Sequence, residues 1–286
     1  RVVMDARRAF EGIIDVVETE YESATGAIVP LRPLDIFWAA MPALRDRFHT
    51  HKSFSETTAA ALLGPYKKAA QELQATTLAS MVFLNRPGRF TAVELPLEAQ
   101  LAPIFSVNVA DFDGDGDEDV FLSQNFFDTQ LEVPRLDAGR GLWLRNDGRG
   151  KLSAVPGQES GIKVYGEQRG AALGDFNKDG RVDLVVTQNS GATKLYVNTA
   201  AKAGLRVQLK GPAGNTLGIG AAMRLKFGPR LGPAREIHAG SGYWSQDSAV
   251  QVFGTPESPT ELQVRWPGGR VSSVAIPPTA KEITLD

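Results

Sequence analysis

Cysteine is absent from the 286 residues, which excludes disulfide frameworks, thiolate zinc sites and cysteine nucleophiles together. With no thiols to read, composition leaves the redox compartment undetermined. Histidine is nearly as scarce, at three residues, so imidazole chemistry has few places to reside. A strong net charge is also missing: 31 Lys and Arg against 33 Asp and Glu give a balance of -2, with no long-range field to gather nucleic acid or an anionic membrane surface. No apolar run approaches the roughly 18 residues that a membrane helix requires, and the opening RVVMDARRAF lacks the apolar core of a signal peptide. That opening also lacks an initiator Met and reads like the middle of something, which suggests a processed or trimmed piece of a longer polypeptide. What is present is 42% hydrophobic residues, enough for a substantial core and for roughly two domains at this length.

Three textures follow one another along the chain, and the reading is of a mainly β protein with a helical N-terminal segment. Residues 1–80 are expected to be a helical segment or insert. In 5–22 the residues Ala6, Phe10, Ile13, Ile14, Val17 and Tyr21 recur at helical spacing between charges. The stretches LDIFWAAMPALRDRF and SETTAAALLGPYKKAAQELQATTLASM add further helices, with Ser55 or Thr57 as a cap and Pro42 and Pro65 as interruptions or starts. From 81 to 203 short apolar runs alternate with Gly, Asn, Asp and Pro, the signature of short strands and tight turns. The segments VADFDGDGDEDVFLSQN at 109–125 and LGDFNKDGRVDLVVTQN at 173–189 superimpose in turn, acid spacing and closing QN, an offset of 64 residues from Asp111 to Asp175. Such a period, with about four strands per unit, fits a β-propeller blade, with 126–141 as a surface excursion. Residues 204–286 lack acidic loops and read as a small β-sandwich or barrel-like module.

The acidic loops carry the clearest chemistry. Asp111, Asp113, Asp115 and Asp119 fall at loop positions 1, 3, 5 and 9, with Gly116 at 6 for the reversal and Asp117 at 7 to contribute its backbone carbonyl. Calcium takes six to eight oxygens at about 2.3 to 2.6 Å, so carboxylates at alternate positions of a tight loop converge on one ion. The second copy offers Asp175, Asn177, Asp179, Gly180, the carbonyl of Arg181, and Asp183. With one carboxylate replaced by an amide it is expected to bind more weakly. Position 12 is Leu122 or Val186 where an EF-hand needs a bidentate Glu, so the EF-hand reading fails.

At DFDGDGDEDV and DFNKDGRVDL the chain resembles the FG-GAP/VCBS repeat family, whose loops serve as calcium staples in β-propellers such as integrin α-subunit heads. GNTLGIGAAMRLKFG, REIHAGSGYWSQDSAVQVFG and ELQVRWPGGRV are similar to the ASPIC/UnbV domain, which follows these repeats in secreted cartilage-acidic-protein-like and bacterial proteins. Residues 49–85 look like the helical insert that bacterial members carry. Two complete signatures and part of another cannot close a propeller. The resemblance therefore implies that further blades come from an N-terminal part or from another chain, or that the propeller closes unusually onto the helical segment.

Other candidates are weaker. His49 and His51 could share a metal. His238 lies near Ser245 and Asp247, although local order does not make a triad and a structural or ligand-contacting loop is preferred. NDGRGK at 146–151 lacks phosphate-loop spacing and reads as a hairpin turn. Trp143, Tyr165, Tyr243, Trp244 and Trp266 could line a sugar- or peptide-binding surface, but aromatics of β modules belong mostly to cores. The leading expectation is a non-catalytic, calcium-stabilised, exported adhesion or recognition protein, secreted or at the cell surface, with a protein or carbohydrate ligand, no nucleic acid and no membrane insertion. The alternatives are an enzyme of secondary metabolism on the same scaffold (a lyase, cyclase or metal-dependent oxidoreductase), or an assembly subunit whose partner completes the propeller.

Overall fold

The protein is described by a computed structural model covering residues 2–7, 14–68, 70–129 and 133–286. It is mainly β, as the sequence leads one to expect. The chain divides into two compact units, Arg1–Ala79 and Ser80–Asp286. Among the described residues no helix is long and apolar enough to cross a membrane.

The first unit departs from its expected helical character. Strands β1 (Val2–Arg7), β2 (Ile14–Glu22), β3 (Ala27–Pro30) and β4 (Gln71–Gln74) form one sheet in the order β3-β2-β1-β4. The helix expected over 5–22 is thus replaced by β1 and β2, which pair antiparallel with Met4 opposite Val17. Phe10 and Ile13 lie outside the described residues. Ile14, Val16, Val17 and Thr19 explain the outcome, because β-branched side chains are stiff at χ1 and favour a strand. Val17 and Thr19 are buried and Val16 and Glu20 exposed, the two-residue alternation of a half-buried strand.

Three short helices form, α1 (Leu34–Ala40), α2 (His51–Ser55) and α3 (Ala59–Leu63), the last two with side-chain caps. The caps are Thr50, whose hydroxyl accepts the Ser53 N–H at 3.1 Å, and Thr58, which accepts that of Ala61 at 3.1 Å, instead of the expected Ser55 or Thr57. Leu34, Phe37, Phe48, Phe54 and Leu62 build the core of this unit.

The second unit opens with a hairpin, β5 (Met81–Arg86) and β6 (Arg89–Glu94), turning at Pro87-Gly88. Two antiparallel meanders follow. The first contains β7 (Ile104–Ala110), β8 (Asp119–Gln124), β9 (Leu142–Asn146) and β10 (Leu152–Val155), and NDGRGK is indeed the turn between its last two strands. The second contains β11 (Glu167–Gly174), β12 (Asp183–Asn189) and β13 (Gly191–Tyr196). Phe112 and Phe121 pack with Ala171, Leu184 and Val186 in one cluster, so the two meanders share a core.

Residues 205–286 form two further sheets. One is ordered β18-β14-β21, from β14 (Leu205–Leu209), β18 (Gln251–Phe253) and β21 (Glu282–Leu285). The other contains β15 (Ala222–Phe227), β16 (Arg230–Leu231), β17 (Arg235–Glu236), β19 (Glu261–Arg265) and β20 (Val271–Ala275). Leu205, Val207 and Leu209 of one sheet join Met223, Leu225, Leu262 and Val264 of the other in a single core. Val252 of β18 packs into the meander core, so the change of texture near residue 204 falls inside one compact unit.

Candidate metal centre

Both acidic loops join paired strands in the same register. Ala110 lies opposite Asp119 across β7 and β8, and Gly174 opposite Asp183 across β11 and β12, so the repeat read from the sequence is a repeat of structure. In each copy the position-9 aspartate is the first residue of the returning strand.

The first loop is wound around Asp111. Its Oδ1 accepts the N–H groups of Gly114 at 2.7 Å and Asp115 at 3.2 Å, and its Oδ2 accepts that of Gly116 at 2.8 Å. These bonds aim successive amides inward and force the chain to reverse at Gly116, where φ is +94° and a Cβ would lie 2.7 Å from Pro256 Cγ. The reversal brings one carboxylate oxygen each from Asp111, Asp113 and Asp115 within 4.8 Å of one another. Asp113 Oδ1 is buried and accepts no hydrogen bond, while Oδ2 lies 3.0 Å from Arg145 Nε. That Nε is itself without a hydrogen bond, so the contact is Coulombic.

Electrostatics report the same crowding. Burial, with the Asp115 charge adding to it, pushes the Asp111 carboxyl up to about 6 against the hydrogen bonds of Gly116 and Gly114. Asp113 and Asp117 are raised in the same way, by burial and by Asp115. Convergent hard oxygens, with one buried carboxylate oxygen that lacks a hydrogen bond, are a donor set that could hold a divalent cation.

Asp117 and Asp119 do not join that triad. Asp119 is 0% exposed and acts as a brace: Oδ1 accepts the Asn146 N–H at 2.8 Å, and Oδ2 accepts those of Phe112 at 3.2 Å and Trp143 Nε1 at 3.1 Å. Burial raises its carboxyl to about 7 despite these donors. Asp183 is braced likewise by Phe176 and Asn198, at 2.8 Å each. Asn146 and Asn198 brace the acidic loops, and the sequence reading passed over them. Asn146 ends β9 and Asn198 follows β13 by two residues, in LWLRN and KLYVN, and each side-chain amide donates to a carbonyl of the acidic loop, Glu118 at 3.0 Å or Val182 at 3.3 Å. A recurring terminal Asn was the available signal.

The second loop repeats the backbone but not the surroundings. Asp175 Oδ1 accepts the Asp179 N–H at 3.0 Å, and Oδ2 accepts that of Gly180 at 2.8 Å and also the Arg206 guanidinium. Asp179 takes Arg181 Nη1 at 3.0 Å and Asn177 Nδ2 at 2.9 Å. Burial opposes ionisation there, but the hydrogen bonds from Asn177 and Arg181 prevail and hold the carboxyl below its ordinary range.

The other candidates scatter. His49 and His51 are both exposed, and no third ligand among the described residues converges with them. His238 Nδ1 lies 3.7 Å from Glu236, whereas the Asp247 carboxylate accepts the Leu173 N–H at 2.7 Å, and Ser245 Oγ has no partner. The three are not aligned as a triad. Trp266 is buried and donates to Ser272 Oγ at 3.0 Å, and Trp143 serves the Asp119 brace. Tyr165, Tyr243 and Trp244 are exposed, Trp244 at 93%.

Against known families, residues 211–286 match the model described as ASPIC and UnbV, so the C-terminal domain is of that kind. Strand β14 precedes the matched segment yet supplies three residues to its core. No curated protein matches the chain.

Proposed function

With an ASPIC and UnbV domain closing the chain and a convergent aspartate loop ahead of it, we propose that this is a calcium-stabilised recognition module that works outside the cell and is non-catalytic. The two meanders read as FG-GAP/VCBS blades of a β-propeller, completed by blades from elsewhere. In the first loop Asp111, Asp113 and Asp115 would hold the ion, with the Asp117 carbonyl as a further donor. The ion would supply charge neutralisation and a fixed geometry for the β7–β8 turn.

The observation that carries this reading is Asp113 Oδ1, a buried carboxylate oxygen without a hydrogen bond, beside two further carboxylates. Leaving such an atom unpaired is costly unless a cation faces it. A loop of this type has calcium affinities suited to extracellular concentrations, which favours export. Recognition falls to the exposed aromatics Tyr165, Tyr243 and Trp244 and to the 126–141 excursion, with a protein or carbohydrate partner. His238 is directed toward Glu236 instead of Asp247, which supports a structural part for the 238–247 loop over a hydrolytic one.

Calcium titration of the chelator-stripped chain by calorimetry tests the proposal, alongside Asp113→Asn. Heat of binding that disappears in the variant supports it, and a chain that binds no calcium at millimolar concentration refutes it.

A further inference from the structure

The two loops share their spacing, yet their lone pairs are disposed differently. In the first, Asp111 Oδ2 faces the backbone of Gly254, where even a Cβ would lie 1.7 Å away, and among the described residues no cationic side chain donates to that carboxylate. In the second, the corresponding Asp175 Oδ2 receives a guanidinium from the first strand of the C-terminal domain. The pair is well buried, with side-chain exposures of 1% for Asp175 and 11% for Arg206. Arg206 is in turn held by Glu282, whose Oε2 accepts Nε at 3.0 Å from the neighbouring strand β21. The rest of the loop is also internally satisfied. Asp179 Oδ1 accepts the Arg181 N–H at 3.0 Å, its Oδ2 accepts Arg181 Nη1 at 3.0 Å, and Arg181 Nε donates to the Ala201 carbonyl at 2.6 Å.

We propose that the second loop is not a metal site but a socket for Arg206, whose guanidinium takes the place that a divalent cation has in loops of this spacing. The consequence is a chain that binds one calcium where the sequence counts two. Two physical points support it. A guanidinium cannot be deprotonated, so it is a permanent counter-charge, and a second cation on the same carboxylate would be repelled at close range. Asp175 and Asp179 of this loop each have an arginine within ion-pair distance, Arg206 and Arg181. Among the described residues the three converging carboxylates of the first loop have one ion pair, that of Asp113 with Arg145, while Arg235 is bound to Glu118.

The inference uses the calcium reading of the first loop only for the expected count. The test is native mass spectrometry and calorimetry of the chelator-stripped chain with calcium chloride, and melting in chelator. Wild type is expected to take up one calcium. Arg206→Met is expected to lower the melting temperature in chelator by more than about 5 °C, because it leaves a buried carboxylate uncompensated. It is also expected to acquire a second, weaker calcium. Asp175→Asn covers the case in which that variant does not fold: on this proposal it leaves the calcium count at one, whereas a metal site would lose an ion. Two calcium ions per wild-type chain, one of them lost in Asp175→Asn, would overturn the socket, as would unchanged melting of Arg206→Met in chelator. A wild-type count of zero refutes the first-loop reading alone, since the chelator melting of Arg206→Met still decides the socket.

Discussion

Replacing Asp115 by Ala separates what calcium contributes from what the loop contributes alone. Asp115 is exposed, and the hydrogen bond its side chain accepts comes from the Asp117 N–H at 2.9 Å. Its charge is among the causes that raise the Asp111, Asp113 and Asp117 carboxyls. Without metal, the lost bond and the relieved repulsion oppose each other, and the net change should stay within about 0.5 kcal/mol, as for most exposed positions. With calcium the balance differs. An ion bound with a Kd on the order of 0.1 to 1 mM adds about 1.4 to 2.7 kcal/mol at 10 mM by mass action. For a unit of this size that corresponds to roughly 3 to 10 °C in melting temperature. Thermal denaturation of wild type and Asp115→Ala, each in chelator and in 10 mM calcium, should therefore show a calcium-induced rise in wild type that the variant lacks. An equal loss in both conditions, or a variant that keeps the full rise, would refute the reasoning.

Three further outcomes follow from the same geometry. In chelator the protein should be more stable at pH 5 than at pH 8. The folded carboxyls of Asp111 and Asp119 sit at about 6 and about 7 against an ordinary 3.8, so their stabilising protonation is complete below 3.8 and lost as pH rises through 6 to 7. The difference should reach at least about 2 kcal/mol in urea melts, and saturating calcium should shrink it. Gly116→Ala should destabilise by roughly 1 to 3 kcal/mol with or without calcium, because both the positive φ and the Pro256 contact resist a Cβ. Arg235 grips Glu118 through Nε at 2.7 Å and Nη2 at 3.0 Å, and a double-mutant cycle of Arg235→Met with Glu118→Gln should return a coupling above about 1 kcal/mol.

The acidic loops were legible because their signal is local: alternate-position carboxylates and a glycine at the reversal specify a turn within ten residues. The repeat was legible for the same reason, and the strand registers at Ala110 and Gly174 agree with it. The partners of the loops were not, since Arg235 stands 117 residues from Glu118 and Arg206 stands 31 residues from Asp175. Nothing in a pattern of charges says which guanidinium a fold delivers to which loop. The bracing of backbone amides by the position-9 aspartates was not legible either, because a carboxylate that braces amides and one that faces a cation have the same spacing. The helix expected over 5–22 failed on period: IDVVETEYE satisfies two-residue and helical alternation alike over nine residues, and β-branching decided for the strand.

The wall behind the first acidic turn is made by Gly254, Pro256 and Arg235, all contributed from beyond residue 204. A fragment engineered to stop at the natural-looking seam near that residue would lose its lid over Asp111 and bare the Phe112 cluster that Val252 now seals. Where families are drawn on the chain and where it can be cut are therefore different questions, and whoever expresses this protein in pieces should keep the last eight strands attached to the loops they shelter.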